Sequence, residues 1–322
     1  VVAAVSAIPP AGPHGGDGAR VARALGIDPA QMLDLSQSLN PVAPDPRPVI
    51  LAHLDSVSRY PDPDVAHEAL AAAMAVDGDW LLLTNGGAEA IALVADQLGG
   101  SVNEPEFSLH PRGTGPLWRS NPHSPTGLLA SAGEHAVVWD EAFYPLATGH
   151  WSRGDADVVV VGSLTKLLAC PGLRVGYVLA DPSLIERCQR HQPAWSLNGL
   201  AAASLPDLLA TLDLARDCLA VRELRGQLRE MLERHGLRVR PSDANWVLVE
   251  QAGLREVLAS EGIVVRDCAS FGLAGLTRIA VPNEAGLARL EHALDKLDSW
   301  IERSGRHDGT WTTTSTEEGI NL

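Results

Sequence analysis

The residue most able to do covalent chemistry in this 322-residue chain is Lys166. It lies in Val158 to Tyr177, VVVVGSLTKLLACPGLRVGY. Four valines form a short β-branched apolar run, the mark of a buried strand. Gly162, Ser163 and Thr165 break it, Lys166 follows at once, and Arg174 stands eight positions later. Lysine is scarce: only Lys166 and Lys296 occur, and every other Lys/Arg position is arginine. An arginine guanidinium stays protonated and cannot condense with an aldehyde, whereas burial of a lysine lowers its pKa and frees the amine. Lys166 is therefore a Schiff-base candidate. From this stretch alone, a lysine in a surface loop is an equally open reading.

The elements that must position such a lysine follow from pattern. Trp80 to Thr84 reads as a strand. Asn85-Gly86-Gly87-Ala88-Glu89 reads as a glycine turn leading into the helical AIALVADQL. A strand, a glycine turn and a helix N-terminus offer outward backbone N–H groups to an anion. His135 to Trp139 reads as another strand, so Asp140 falls at its carboxyl end, as Lys166 falls just past Val158–Val161. Ligands bind at that edge of an open α/β sheet. Asp140 also suits a helix cap or turn.

Elsewhere, short helices are expected at Gly18 to Leu25, Pro46 to Ser58 and Val65 to Met74. Gly99 to Arg119 shows little regularity. A helix from Asp181 breaks at Gln192–Asn198, and long amphipathic helices are expected from Pro206 to Gly236. Strands are expected at Leu237–Val239, Trp246–Glu250, Ile263–Arg266 and Thr277–Val281, with helices at Gly253–Glu261 and Asn283–Arg303. The early part alternates β and α and the later part is α+β.

Composition sets limits. The chain can bury a large core, and its 45% hydrophobic content is that of a globular protein. A net charge of −15 argues against a nucleic-acid or anionic-membrane surface. Four well-separated cysteines, with no metal-ligand spacing, fit a reduced, cytoplasmic chain and no metal site. No apolar run reaches membrane-spanning length. The mildly apolar start lacks the basic residues of a signal peptide.

Taken in order, the segments HGGD (from His14), NPHSPTG (from Asn121), DEAF (from Asp140), SLTK with Arg174, PAWSLN (from Pro193) and VRDCASFGL (from Val265) resemble the fold-type I pyridoxal 5'-phosphate (PLP) enzymes of the histidinol-phosphate aminotransferase type. Within that type the resemblance is strongest to the threonine-phosphate decarboxylases of cobalamin biosynthesis. It implies an α/β, aspartate-aminotransferase-like large domain with a mainly parallel sheet and a smaller α+β domain. The expected boundaries are an arm over 1–45, the large domain over 46–205, the small domain over 206–305 and a polar tail over 306–322.

The resemblance also implies roles. Lys166 would bind PLP as an imine and move protons at the substrate, while Asp140 would pair with the pyridinium nitrogen. Gly87, Ala88, Ser163, Thr165 and Arg174 would hold the cofactor phosphate, joined by Tyr60 of a neighbouring subunit in a shared-site homodimer. Phe107 would stack on the ring, and Ser124 stands in the cofactor site where the family carries asparagine. Arg278 would clamp the substrate carboxylate, with Arg266, Asn40 and the arm residues His14, Gly15 and Gly16 around the substrate. Phe143 replaces a family tyrosine, Ser38 an asparagine, and the span before NPHSPTG is short by about a strand and a helix. The implied activity is decarboxylation of threonine phosphate or a close phospho-amino acid to an amino-alcohol phosphate. Histidinol-phosphate transamination is the alternative, and a catalytically weak PLP-fold binding protein is a third reading.

Overall fold

A computed structural model of the chain describes residues 8–304; the expected polar tail over 306–322 lies outside them. The chain divides into two compact units. Among the described residues, one comprises 38–226 with 241–246; the other joins 8–37, 227–240 and 247–304.

The first unit is built on a six-stranded mixed sheet. Its spatial order is Leu81–Asn85, Val175–Leu179, Val159–Ser163, Val138–Asp140, Leu117–Ser120 and Ser101–Val102. The last four run parallel, and the first two join through antiparallel pairings. The valine run explains the centre: Val159, Val160 and Val161 are all buried, as expected of a strand covered on both faces. On one face, Leu70, Leu146, Leu164, Leu167, Leu205 and Tyr177 are core. On the other, Ile91, Val94, Trp118, Val138, Ile185 and Cys188 are. Helix Gly86–Leu98 starts directly at the glycine turn.

Several expected boundaries shift. Gly99 to Arg119 contains two short strands, Ser101–Val102 and Leu117–Ser120, in register with each other and with Val138–Asp140. The neighbouring strand imposes them, since the local sequence carries no strand pattern. No helix occurs between Leu98 and Asn121 among the described residues. The expected Pro46–Ser58 helix is an α-helical turn, Arg47–Ala52, followed by 3₁₀ residues Leu54–Ser58. Pro206 does not open a helix; it sits inside Gly199–Ala210, which Asn198 caps by accepting from Ala201 N–H at 2.9 Å. Asn198 Nδ2 also donates to the Leu173 carbonyl at 2.8 Å, which ties the PAWSLN segment to the chain just before Arg174.

The second unit holds a parallel pair, Leu33–Asp34 with Ile263–Val264, and a three-stranded sheet ordered Arg266–Asp267, Thr277–Ala280, Trp246–Val249. The expected strand at Leu237–Val239 reduces to one bridge, Val239 with Val249. Its arm helix is Gly18–Leu25, as expected, and Glu284–Ser304 is its C-terminal helix. No helix among the described residues is long and apolar enough to cross a membrane. No group of metal-ligating side chains occurs among them.

Candidate active site

The carboxyl ends of the central strands gather the expected groups. Ser163 ends its strand, and Leu164–Leu167 is a single helical turn that carries Thr165 and Lys166. Leu164 and Leu167 are buried on either side of Lys166 and fix the turn to the core. The Lys166 carbonyl accepts from Asn40 N–H at 2.9 Å. Asn40 Nδ2 donates to the Leu167 carbonyl at 3.1 Å and to Asp217 at 2.9 Å. Asn40 thus braces the lysine-bearing turn. The Lys166 ammonium lies 5.7 Å from the centre of the Phe143 ring. Phe143 packs edge-on against Trp246 at 4.7 Å, and Trp246 donates to the Pro125 carbonyl at 2.9 Å.

An anion cradle stands beside the lysine. Gly86 has φ +75°, and a methyl placed on it would collide with the Arg174 guanidinium. Arg174 itself has φ +57°. Gly87 abuts the Ser163 side chain. Thr165 is buried, and its hydroxyl has no hydrogen-bond partner. A helix N-terminus, a guanidinium, a serine and an unsatisfied buried hydroxyl suit a phosphate group. Ala88 is exposed on the same first turn. Gly86→Ala should therefore act twice. The left-handed backbone costs about 1–2 kcal/mol for a residue with a Cβ, and the methyl displaces Arg174. The expected outcome is a lower melting temperature together with weaker phosphate affinity, read by calorimetric titration with inorganic phosphate.

Asp140 ends the strand next to that of Ser163, and both of its oxygens are held. Oδ1 accepts from Ala142 N–H at 3.0 Å, and Oδ2 accepts from His110 Nε2 at 2.9 Å. Sequence reasoning missed His110. It falls in an irregular segment with no periodicity, and a lone histidine there gives no signal. Phe107 lies edge-on to the His110 ring, with centroids 5.5 Å apart. Ser124 is buried, and its N–H donates to Ser120 Oγ at 2.7 Å.

Glu141 follows Asp140 and is 1% exposed. Burial pushes its pKa up to about 7, although the Ser152 hydroxyl and Arg153 N–H act the other way. The folded value exceeds the unfolded one, so the native state binds the extra proton between about pH 4.5 and 7. Stability from this group is present below that window and falls as pH rises through it, by on the order of 3 kcal/mol. Glu141→Gln should flatten that fall, so denaturant titrations at pH 5 and pH 8 should differ less for the variant than for wild type.

Tyr60 and Trp195 are exposed, at 78% and 62%, with ring centres 4.7 Å apart.

In the second unit, Arg266 and Arg278 are direct cross-strand partners, each 5% exposed. Burial and the adjacent Arg266 push the Arg278 pKa down to about 9, and burial likewise lowers that of Arg266. Arg266 stacks on Phe271 at 4.3 Å and donates to the Pro13 carbonyl at 2.8 Å, next to His14. Gly15 is pressed on the Ser36 carbonyl, with no room for a side chain, and Gly16 N–H donates to Ser36 Oγ at 2.8 Å. Asp17 anchors the arm on buried Arg255, with N···O 2.6 Å. Two like charges held together in a dry place favour an anionic ligand.

Comparison with known proteins gives the family and the fold. Residues 110–297 match the family model for aminotransferase class I and II. The chain is 29% identical to the threonine-phosphate decarboxylase of Salmonella typhimurium, over 87% of this chain and 96% of the relative. It is 27% identical to histidinol-phosphate aminotransferase 1 of Dechloromonas aromatica, over 86% of this chain and 92% of the relative. The solved histidinol-phosphate aminotransferase of Clostridium acetobutylicum superposes with a TM-score of 0.73 at 21% identity, covering 84% of this chain and 100% of that one. The fold is of the aspartate-aminotransferase type. With a matching model over more than half its length, the chain belongs to the aminotransferase class I and II family of enzymes, and its cofactor is pyridoxal 5'-phosphate.

Proposed function

We propose that this enzyme removes the carboxylate of a small phosphorylated amino acid, with threonine phosphate or a close relative as substrate and an amino-alcohol phosphate as product. The observation that carries the reading is the buried pair Arg266 and Arg278 beside the tethered arm. A carboxylate and a phosphate are two anionic groups that such a pair recognises. The relative in Salmonella typhimurium bears the name of this activity.

The residues present fit the cofactor. The cradle of Gly86, Gly87, Ala88, Ser163, Thr165 and Arg174 would hold its phosphate, with the orphaned Thr165 hydroxyl supplying a missing donor. Lys166 would bond to its aldehyde carbon. Asp140, fixed from two sides, would accept from the ring nitrogen. Phe107 would cover one ring face, and Ser124 would lie near the ring hydroxyl. When bound, the cofactor supplies an electron sink for the bond being broken. Arg278 would hold the substrate carboxylate and so choose the bond that breaks. Lys166 would then return a proton to the substrate carbon. Arg266, His14, Gly15 and Gly16 would hold the substrate phosphate, and Asn40 would brace the lysine turn. Phe143, which stands where the resemblance expects a tyrosine and lies 5.7 Å from the Lys166 ammonium, favours this reading.

Histidinol-phosphate transamination is the second reading, because most of the same residues serve it and the Dechloromonas aromatica relative bears that name. The test is product analysis. A decarboxylase releases carbon dioxide from threonine phosphate with no keto acid present, turnover after turnover. A single half-reaction that resumes only when a keto acid is added would decide for the transaminase. The exposed Tyr60–Trp195 stack, with Leu51, Leu54, Val57 and Val65 also exposed, supports a homodimer in which Tyr60 completes a neighbour's phosphate cradle. Sedimentation at micromolar concentration should show the dimer; a fully active monomer would refute it.

A further inference from the structure

We propose that the segment from Gln192 to Asn198 is a strap that sets the shape of the phosphate cradle, with Ser196 and Asn198 as its positioning residues. The proposal rests on the phosphate role given above to the cradle and deepens it. The strap lies between helices Pro182–His191 and Gly199–Ala210 and has no regular structure of its own. A connection of that kind is ordinarily mobile.

This one is fastened along its length. Gln192 Nε2 donates at 2.8 Å to the carbonyl of Leu83, in the strand that leads into the glycine turn, and at 3.1 Å to Glu89 Oε2. The Ser196 hydroxyl donates to the same Glu89 oxygen. Leu197 is buried in the core. Asn198 Nδ2 donates to the Leu173 carbonyl at 2.8 Å. Between these anchors, Trp195 takes φ +55°. A residue with a Cβ holds that conformation at a cost, and only where its neighbours over-determine it.

The anchors fall on both walls of the cradle. Glu89 is in the first turn of helix Gly86–Leu98, and its Oε2 also accepts from Asn85 N–H at 2.7 Å. Asn85 precedes Gly86, so Glu89 ties the strap to the glycine turn. Leu173 precedes Arg174, whose backbone is left-handed and whose guanidinium packs on Gly86. The turn and the guanidinium are the two groups that a phosphate must reach at once. A helix N-terminus and an arginine fork serve one anion fully only when their relative placement is fixed. The strap fixes it from outside. Ser196 acts on the turn through Glu89, and Asn198, two positions on, acts on Arg174 through the Leu173 carbonyl.

The test uses the full-length protein freed of cofactor and two ligands, pyridoxal 5'-phosphate and pyridoxal, which share the ring and the aldehyde. The ratio of their affinities, from calorimetric titration, reads the phosphate contacts. Wild type should prefer the phosphorylated ligand by about a hundredfold or more, the worth of two charge-assisted hydrogen bonds. Arg174→Met should erase most of that preference. Ser196→Ala and Asn198→Ser should each cut it by about threefold or more, with the affinity for pyridoxal unchanged. Asn198→Ser keeps an oxygen to cap Ala201 N–H but no longer reaches Leu173. Ser196→Thr, which restores the hydroxyl, should regain the preference. If Asn198→Ser does not fold, Asn198→Thr, also a capping residue without that reach, is read the same way. Equal loss for both ligands, or a preference that survives both substitutions while Arg174→Met destroys it, would show the strap to be structural only and defeat the proposal. A wild type with no preference between the ligands would fail earlier, at the cradle itself, and the phosphate role of Arg174 would fall with it.

Discussion

Lys166→Ala should lower kcat by about 10³-fold or more, the scale of losing a group that moves protons in the reaction. The visible absorbance of the lysine-bound cofactor should vanish as well. No second lysine is placed to substitute, because Lys296 is on the C-terminal helix and paired with Glu261 at 2.8 Å. Borohydride reduction followed by peptide mapping should place the label on Lys166 alone. A label on Lys296, or turnover surviving in the alanine variant, would show that the chemistry lies elsewhere. The fold should tolerate the change: the turn is held by buried Leu164 and Leu167 and by the backbone bond from Asn40 to the Lys166 carbonyl, not by the ammonium.

How far this site can be read from sequence depends on what fixes each part. The valine run, the glycine turn and the lone lysine are local signals, and each falls where its pattern puts it. Asp140 is legible because a strand must end near it. The His110–Asp140 bond is not legible. Its two members are 30 residues apart, and Asp140 is set in place where Leu117–Ser120 pairs with Val138–Asp140. That pairing is tertiary, since the short strand is set by its neighbour and not by its own residues. The same holds for Trp246, which reads as one more strand residue until it is seen against Phe143 and the Pro125 carbonyl. Pro206 misleads for a related reason: a proline is expected to open or end a helix, whereas here the Asn198 cap starts the helix earlier and carries it through.

Arg278 offers the sharpest test, because its removal is read in the pH dependence of stability and in substrate binding at once. Burial, and then the Arg266 guanidinium, depress its pKa to about 9. The folded value lies below the unfolded one, so the native protein bears the charge at a cost. That cost is fully present below about pH 9 and fades as pH rises above it toward the ordinary arginine range. Arg278→Leu removes the charge and keeps apolar bulk. The variant has no such group, so the gain in stability that wild type shows as pH rises above about 9 should be missing from it, read by denaturant titrations at pH 8 and pH 10. On the role proposed for Arg278, the same change would leave the substrate carboxylate unpaired, a loss of about 2–5 kcal/mol for a desolvated charge pair. Expressed in kinetics, KM should rise by about 30-fold at the least. Arg278→Lys keeps a charge but not the two-pronged fork, and should recover only part of the binding. A variant that is both less stable and unchanged in KM would show that Arg278 is a structural cation, and the anion site would then have to be sought at Arg266 and the arm alone.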